Sequence, residues 1–222
     1  MVTAALSSRQ WRDLRWLVLA PHPDDETLGA GALIAQTAKA GRLAGLVYLT
    51  DGAGSHGAAQ RLAAARRREA TRAVQRLAGG RAQRPVHLDW KDAAPARPGD
   101  PLFERTARYL AALCRRWRVD ALAVTAGHEP HCDHEAAAAL AYAVHGRAMR
   151  RLVVAEYLVW ADRPDQKMRR AIHTAPMAAG QRRLALAAHR SQLTAAHGPG
   201  FRLSPEQRRM GARDILYVRR RP

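Results

Sequence analysis

The stretch Leu17–Glu26 reads LVLAPHPDDE. Its first four residues are continuously apolar. That pattern marks a strand buried on both faces, as in a parallel sheet, and not the alternation of a half-exposed strand. The run ends abruptly in His22, Asp24, Asp25 and Glu26, set between and after Pro21 and Pro23. Three adjacent carboxylates repel one another, so folding gains nothing from crowding them at the end of a buried strand. A positive charge is needed at that spot. The two prolines stiffen the turn. Glu26 reads as a helix-start residue, where a carboxylate meets the positive end of the helix dipole, or as a residue that supports the site from behind its ligands.

Working outward, strands are expected at Trp16–Ala20, Leu43–Leu49, Pro85–Leu88, Ala121–Thr125 and Leu152–Tyr157. Helical periodicity covers Thr27–Ala40, Ala58–Leu77, Leu102–Trp117, Asp133–His145 and Gln181–Ala196. The irregular segment from Asp162 to Gly180 has room for an edge strand. Alternating strands and helices predict an α/β fold, a Rossmann-like three-layer sandwich with a mostly parallel sheet. In the common order 3-2-1-4-5, the first and fourth strands are neighbours. Ligands bind outside the carboxyl ends of strands at such a switch point.

The loop after the fourth strand is therefore the place to look for partners of the acidic cluster. It reads TAGHEPHCDHEAAA, from Thr125 to Ala138. His128, His131, Asp133 and His134 make it a second cluster of metal-ligand types. Two imidazoles and one carboxylate around an open position form a catalytic zinc site. Zinc brings the pKa of a bound water near neutrality, and a neighbouring carboxylate can take its proton. Asp24 and Asp25 point in different directions and can divide the roles of ligand and base.

Composition bounds the rest. The chain has 222 residues, is 47% hydrophobic and carries a formal charge of +18. That length suits a single domain spanning residues 1–222. Cys114 and Cys132 form no CxxC pair, so a reducing compartment is expected. No apolar run approaches the ~20 residues that span a membrane, and the first residues lack a signal-peptide core. A cytoplasmic protein is the expectation. The arginine excess is expected mainly on the helix Ala58–Leu77 and at the C-terminus. It also supports a competing reading, a basic nucleic-acid-binding protein whose metal site is structural or vestigial. That reading lacks the interleaved aromatic residues of such proteins. The glycines of Gly29–Gly31 lack the third glycine of a dinucleotide loop and fit helix packing better.

The blocks APHPDDETLGAGALIA, LTDGAGSH, ARRREA, HEPHCDHEAA, EYLVWA and LAAHRSQL together resemble the PIG-L/LmbE-like metal-dependent N-deacetylases, from about Leu17 to about Leu193. The resemblance implies a zinc-dependent hydrolase that removes an N-acetyl or other N-acyl group from an amino sugar such as N-acetylglucosamine, or from a glycoconjugate. It implies His22, Asp25 and His134 as zinc ligands; iron(II) or another divalent ion would also suit them. Asp24 would be the general base. His131 would stabilise the oxyanion and protonate the leaving amine, oriented by Asp133, which would raise its pKa. Arg66 and Asp92 would face the sugar, although Arg67 or Arg68 could take the place of Arg66 in the run of three. His189 and His56 are further candidates for contacts near the site. Cys132 replaces the family's usual proline and reads as a small buried residue. An aromatic residue at the end of the fourth strand is missing, which widens the pocket.

Overall fold

The computed structural model describes residues 3–55, 59–164, 168–196, 198 and 200–219. His56, Arg220 and Arg221, on which sequence expectations fall, lie outside the described residues. One mostly parallel sheet carries eight strands: β1 (Thr3–Ala5), β2 (Trp16–Ala20), β3 (Leu43–Thr50), β4 (Val86–Trp90), β5 (Ala121–Thr125), β6 (Val153–Tyr157), β7 (Arg169–His173) and β8 (Ile215–Arg219). The strand order is β1-β7-β8-β6-β5-β2-β3-β4. All pairings are parallel except those of β8 with β6 and with β7. The five expected strands appear in the expected order, as β4-β3-β2-β5-β6. The strand in the 162–180 segment is β7, yet it is not an edge: β1 lies outside it.

Continuous burial of β2 and β5 follows from helices on both faces. Alternate residues feed two cores. Trp16, Val18, Ala121, Ala123 and Tyr157 point to one side. There they meet α1 (Asp25–Gly29), α2 (Gly31–Lys39), α3 (Ala59–Ala78) and α6 (Gln181–Leu186). Leu17, Leu19, Leu122, Val124 and Val154 point to the other, against α4 (Pro101–Arg116) and α5 (Cys132–Arg147).

Two expected helices are each broken in two. Thr27–Ala40 is interrupted at Ala30, which leaves helical geometry at φ −127°. Just before the break the chain packs closely at Gly29, where a Cβ would come within 2.4 Å of the Tyr157 ring. Gln181–Ala196 stops at Leu186 and resumes as α7 (Arg190–Leu193). The turn between them carries His189 into the interior, where it is fully buried. The arginine excess is not confined to α3: Arg105, Arg108, Arg115 and Arg116 are equally exposed on α4. No helix among the described residues is long and apolar enough to cross a membrane.

Candidate active site

The carboxyl ends of β2 and β5 are adjacent, so the acidic turn after β2 faces the histidine-rich loop before α5. Asp24 stands at the start of α1 with φ 137°, a value that residues other than glycine rarely adopt. The strain is held in place by Glu26, whose Oε2 accepts the Asp24 backbone N–H at 2.9 Å. Glu26 is in turn fixed by Thr27 Oγ1 and by His189 Nε2, at 2.5 and 3.1 Å from Oε1. His189 thus supports the site from beneath, through Glu26, and Glu26 takes the supporting place that was one of its two expected roles.

The donor atoms of His22, Asp25 and His134 converge within 4.8 Å of one another. Asp25 Oδ2 lies 3.1 Å from His22 Nδ1 and 3.3 Å from His134 Nε2. Each imidazole turns its other nitrogen to a carboxylate. His22 Nε2 is 2.9 Å from Asp133 Oδ2 and 3.3 Å from Asp92 Oδ1. His134 Nδ1 is 3.4 Å from Glu129 Oε2. Glu129 is itself held by the backbone N–H groups of Val159 and Trp160. This is the arrangement of ligating histidines oriented by outer carboxylates. Two imidazoles, one carboxylate and a nearby second carboxylate fit a divalent cation such as zinc in both donor type and spacing.

The electrostatics of the protein groups agree with that fit. Burial, reinforced by the neighbouring charge of Asp25, raises the Asp24 pKa to about 7. Burial would raise Asp25 too, but His134 and His22 overcome it and hold Asp25 well below the carboxylate range. Burial opposes charge on His134, yet Asp25 and Glu129 raise its pKa to about 9. His22 moves up in the same way, through Asp133 and Asp25 against burial. A cluster that holds extra protons on imidazoles to balance buried carboxylates is one that a cation can replace.

Asp133 and His131 depart from expectation. The Asp133 carboxylate points to His22, and its Oδ2 also accepts the Ala93 N–H at 2.9 Å. Its separation from His131 Nδ1 is 3.9 Å. What His131 receives is the Asp133 backbone N–H, donated to Nδ1 at 3.2 Å, as the N-cap of α5. Burial and the charge of His22 outweigh Asp133 and lower the His131 pKa. The expected raised pKa is thereby corrected. A neutral ring that accepts at Nδ1 carries its proton on Nε2. Cys132 is exposed and not buried as expected. His128 faces away from the cluster and contacts the Asp162 carbonyl.

A cavity of 220 Å³ opens over this floor. His22, Asp24, Asp25, His131 and His134 line it together with Arg66, Asp92 and Ala93. Of the three consecutive arginines only Arg66 is buried; Arg67 pairs with Asp89 on the surface. The Arg66 guanidinium sits against Gly52, where a Cβ would come within 2.6 Å of Nη1 and where φ is +66°. Asp92 Oδ2 accepts the Gly54 N–H at 2.9 Å. Burial opposes its charge, but His22 and Gly54 help lower its pKa to about 2. Trp160, Gln192 and Phe201 complete the wall. Sequence reasoning assigned them no role. Trp160 and Gln192 lie inside the EYLVWA and LAAHRSQL blocks, a signal that was present but carried no chemistry of its own.

Comparison with known proteins follows the same lines. The model of the PIG-L family, described as GlcNAc-PI de-N-acetylase, matches residues 17–145. No curated protein matches the chain in sequence. Among solved structures, N,N'-diacetylchitobiose deacetylase from Pyrococcus horikoshii superposes with a TM-score of 0.62 at 20% identity, covering 82% of this chain and 72% of that one. The conserved protein TT1542 from Thermus thermophilus gives 0.58 at 26% identity, covering 84% and 82%. A deacetylase of the teicoplanin biosynthetic pathway gives 0.65 at 22%, covering 94% and 98%. GalB, the 4-carboxy-2-hydroxymuconate hydratase from Pseudomonas putida, shares the fold at 0.52 and 17%, covering 94% and 98%. Fold alone therefore does not set the reaction. The family match covers more than half of the chain and includes both ligand-bearing loops, and the chain belongs to the PIG-L family.

Proposed function

We propose that this protein is a divalent-metal-dependent N-deacetylase, a hydrolase that cleaves an N-acetyl or related N-acyl amide on an amino sugar or glycoconjugate. The observation that carries the reading is the position of Asp25 Oδ2 between His22 Nδ1 and His134 Nε2, at the floor of a cavity that Asp24 also lines. His22, Asp25 and His134 would hold the ion, with zinc the first candidate. Bound there, it would supply Lewis acidity, polarising the amide carbonyl and lowering the pKa of a water.

The protein groups divide the remaining work. Asp24 is the base: it takes the proton of the attacking water and returns one to the leaving amine. Its backbone, fixed by Glu26, keeps the carboxylate aimed at the cavity. His131, neutral at physiological pH, donates from Nε2 to the carbonyl oxygen as negative charge develops. Asp133 and Glu129 hold the far nitrogens of His22 and His134 and so orient the nitrogens that would face the ion. Arg66 and Asp92 contact the hydroxyls of the sugar. At 220 Å³ the cavity is smaller than the ~300–1,000 Å³ of sites that enclose a whole drug-sized ligand. It suits the acylated residue of a larger molecule, whose remainder stays outside.

A single working domain is supported by the one sheet, which draws strands from Thr3 to Arg219. A reducing, cytoplasmic setting is supported by the exposed unpaired thiol of Cys132. The test is acetate release from a panel of N-acetylated amino sugars, with metal-loaded wild type against Asp24→Asn. Turnover that Asp24→Asn abolishes while metal content persists supports the assignment. Turnover retained in Asp24→Asn would refute it.

A further inference from the structure

Gln192 lies in α7, on the cavity wall with Arg66 and Asp92, and is only 1% exposed. Its Oε1 is buried without a hydrogen-bond partner among the described residues. A buried amide carbonyl left unsatisfied is costly, and native proteins rarely tolerate one without a use. The segment that presents it is held from several directions. The adjacent Ser191 bonds Glu69 of α3 through both its N–H and its hydroxyl, at 3.0 and 2.6 Å. The Gln192 N–H donates to the His189 carbonyl at 3.1 Å, and the Gln192 carbonyl accepts the Leu203 N–H at 2.9 Å. The amide head is thus positioned by its backbone while its own acceptor is unpaired.

The neighbouring groups restrict what it can read. Arg66 only donates hydrogen bonds, and ionised Asp92 only accepts them. An amide does both, and so does a hydroxyl. A polyhydroxylated ring matches a wall of one pure donor, one pure acceptor and one amide. Its C–H face would lie against Trp160 and Phe201, the aromatic members of the wall.

We propose that Gln192 is a specificity-determining residue that accepts a hydrogen bond from one ring hydroxyl of the substrate. This rests on the amino-sugar reading above, and deepens it by naming the residue that selects a hydroxylated ring over other N-acyl amines.

The experiment is kcat/KM for wild type, Gln192→Leu and Gln192→Glu on N-acetylglucosamine and on each of its singly deoxygenated analogues. Melting temperature and metal content serve as controls for folding. Gln192→Leu is expected to lose roughly 5- to 100-fold on the parent sugar. On one deoxy analogue, which wild type already handles poorly, the same substitution should cost little. Gln192→Glu keeps an acceptor and should recover part of the loss on the parent. An equal loss on every analogue, or no loss on the parent, overturns the proposal. If wild type hydrolyses none of these sugars, the amino-sugar reading itself fails and this inference falls with it, whereas activity without hydroxyl-dependent coupling removes Gln192 alone.

Discussion

Asp133 Oδ2 stands 2.9 Å from His22 Nε2 and accepts the Ala93 N–H through the same oxygen. The carboxylate thereby fixes which nitrogen of His22 carries a proton and leaves Nδ1 facing Asp25. Asp133→Asn should weaken metal binding by roughly 10- to 100-fold. His131 should stay in place, because it takes the Asp133 backbone and not its side chain. Competition with a chromophoric chelator reads the affinity directly. Wild-type affinity in Asp133→Asn would remove Asp133 from the metal site.

The metal-stripped protein should show the cost of burying Asp24. Its folded pKa of about 7 lies above the ordinary carboxylate value of about 3.9. A folded pKa raised in this way gives stability that is fully present below the unfolded pKa and lost as pH rises towards the folded one. The loss therefore develops between about pH 4 and pH 7. Asp24→Asn should raise the apo melting temperature at pH 8, by about 2–4 °C for each kcal/mol relieved, and change it little at pH 4. Equal effects at both pH values would contradict a buried, strained carboxylate.

Metal uptake should be coupled to proton loss. His134, raised to about 9, and His22, also raised, are protonated near neutrality without a cation and must deprotonate to bind one. Apparent affinity should then rise from pH 6 towards pH 9. Calorimetry in buffers of different ionisation enthalpy measures the protons released. A pH-independent affinity with no proton release would mean that these histidines are not the ligands.

His131→Ala should reduce kcat by about 10²- to 10³-fold, the usual loss for an oxyanion donor, with metal retained. Because the His131 pKa is lowered, the ring is already neutral at pH 7, and its titration should appear on the acid side of the rate profile. The pH dependence of kcat for wild type and His131→Ala checks this. An alkaline limb that disappears with His131 would restore an imidazolium donor.

The Glu26–His189 pair should be structural as well as functional. Both side chains are fully buried, 3.1 Å apart. Removing His189 leaves a buried carboxylate without its partner, at a cost of about 3–5 kcal/mol. Urea denaturation of His189→Ala should show a large drop in midpoint. A change under ~1 kcal/mol would show that Thr27 and the Asp24 N–H satisfy Glu26 unaided.

Much of this arrangement was readable in the chain. β2, β3 and β5 announce themselves because burial on both faces makes them almost wholly apolar, and the order of the five expected strands follows from strand–helix alternation. β1 and β8 escaped notice: Thr3–Ala5 is too short to show a period, and Ile215–Arg219, a four-residue apolar run ending in an arginine, stands outside the strand–helix alternation. The break before α7 was equally hidden. Helical periodicity continues through His189, and only the tertiary pull of Glu26 turns that residue inward. At the site, the metal-ligand residue types clustered in two loops, so their meeting could be anticipated. The partner of Asp133 could not, because N-capping by His131 and the approach of Ala93 depend on how separate loops dock. Trp160, Gln192 and Phe201 carry no acid, base or metal-binding signature, and only the cavity brings them together.

The most direct test of the central claim is the metal content of purified wild type and His134→Ala, measured by mass spectrometry of the eluted ion. The account predicts one tightly held divalent ion per wild-type chain and near-complete loss in His134→Ala, with Asp24→Asn retaining the ion. Full occupancy in His134→Ala would contradict the assignment of His22, Asp25 and His134 as the metal centre, and with it the mechanism built on that centre.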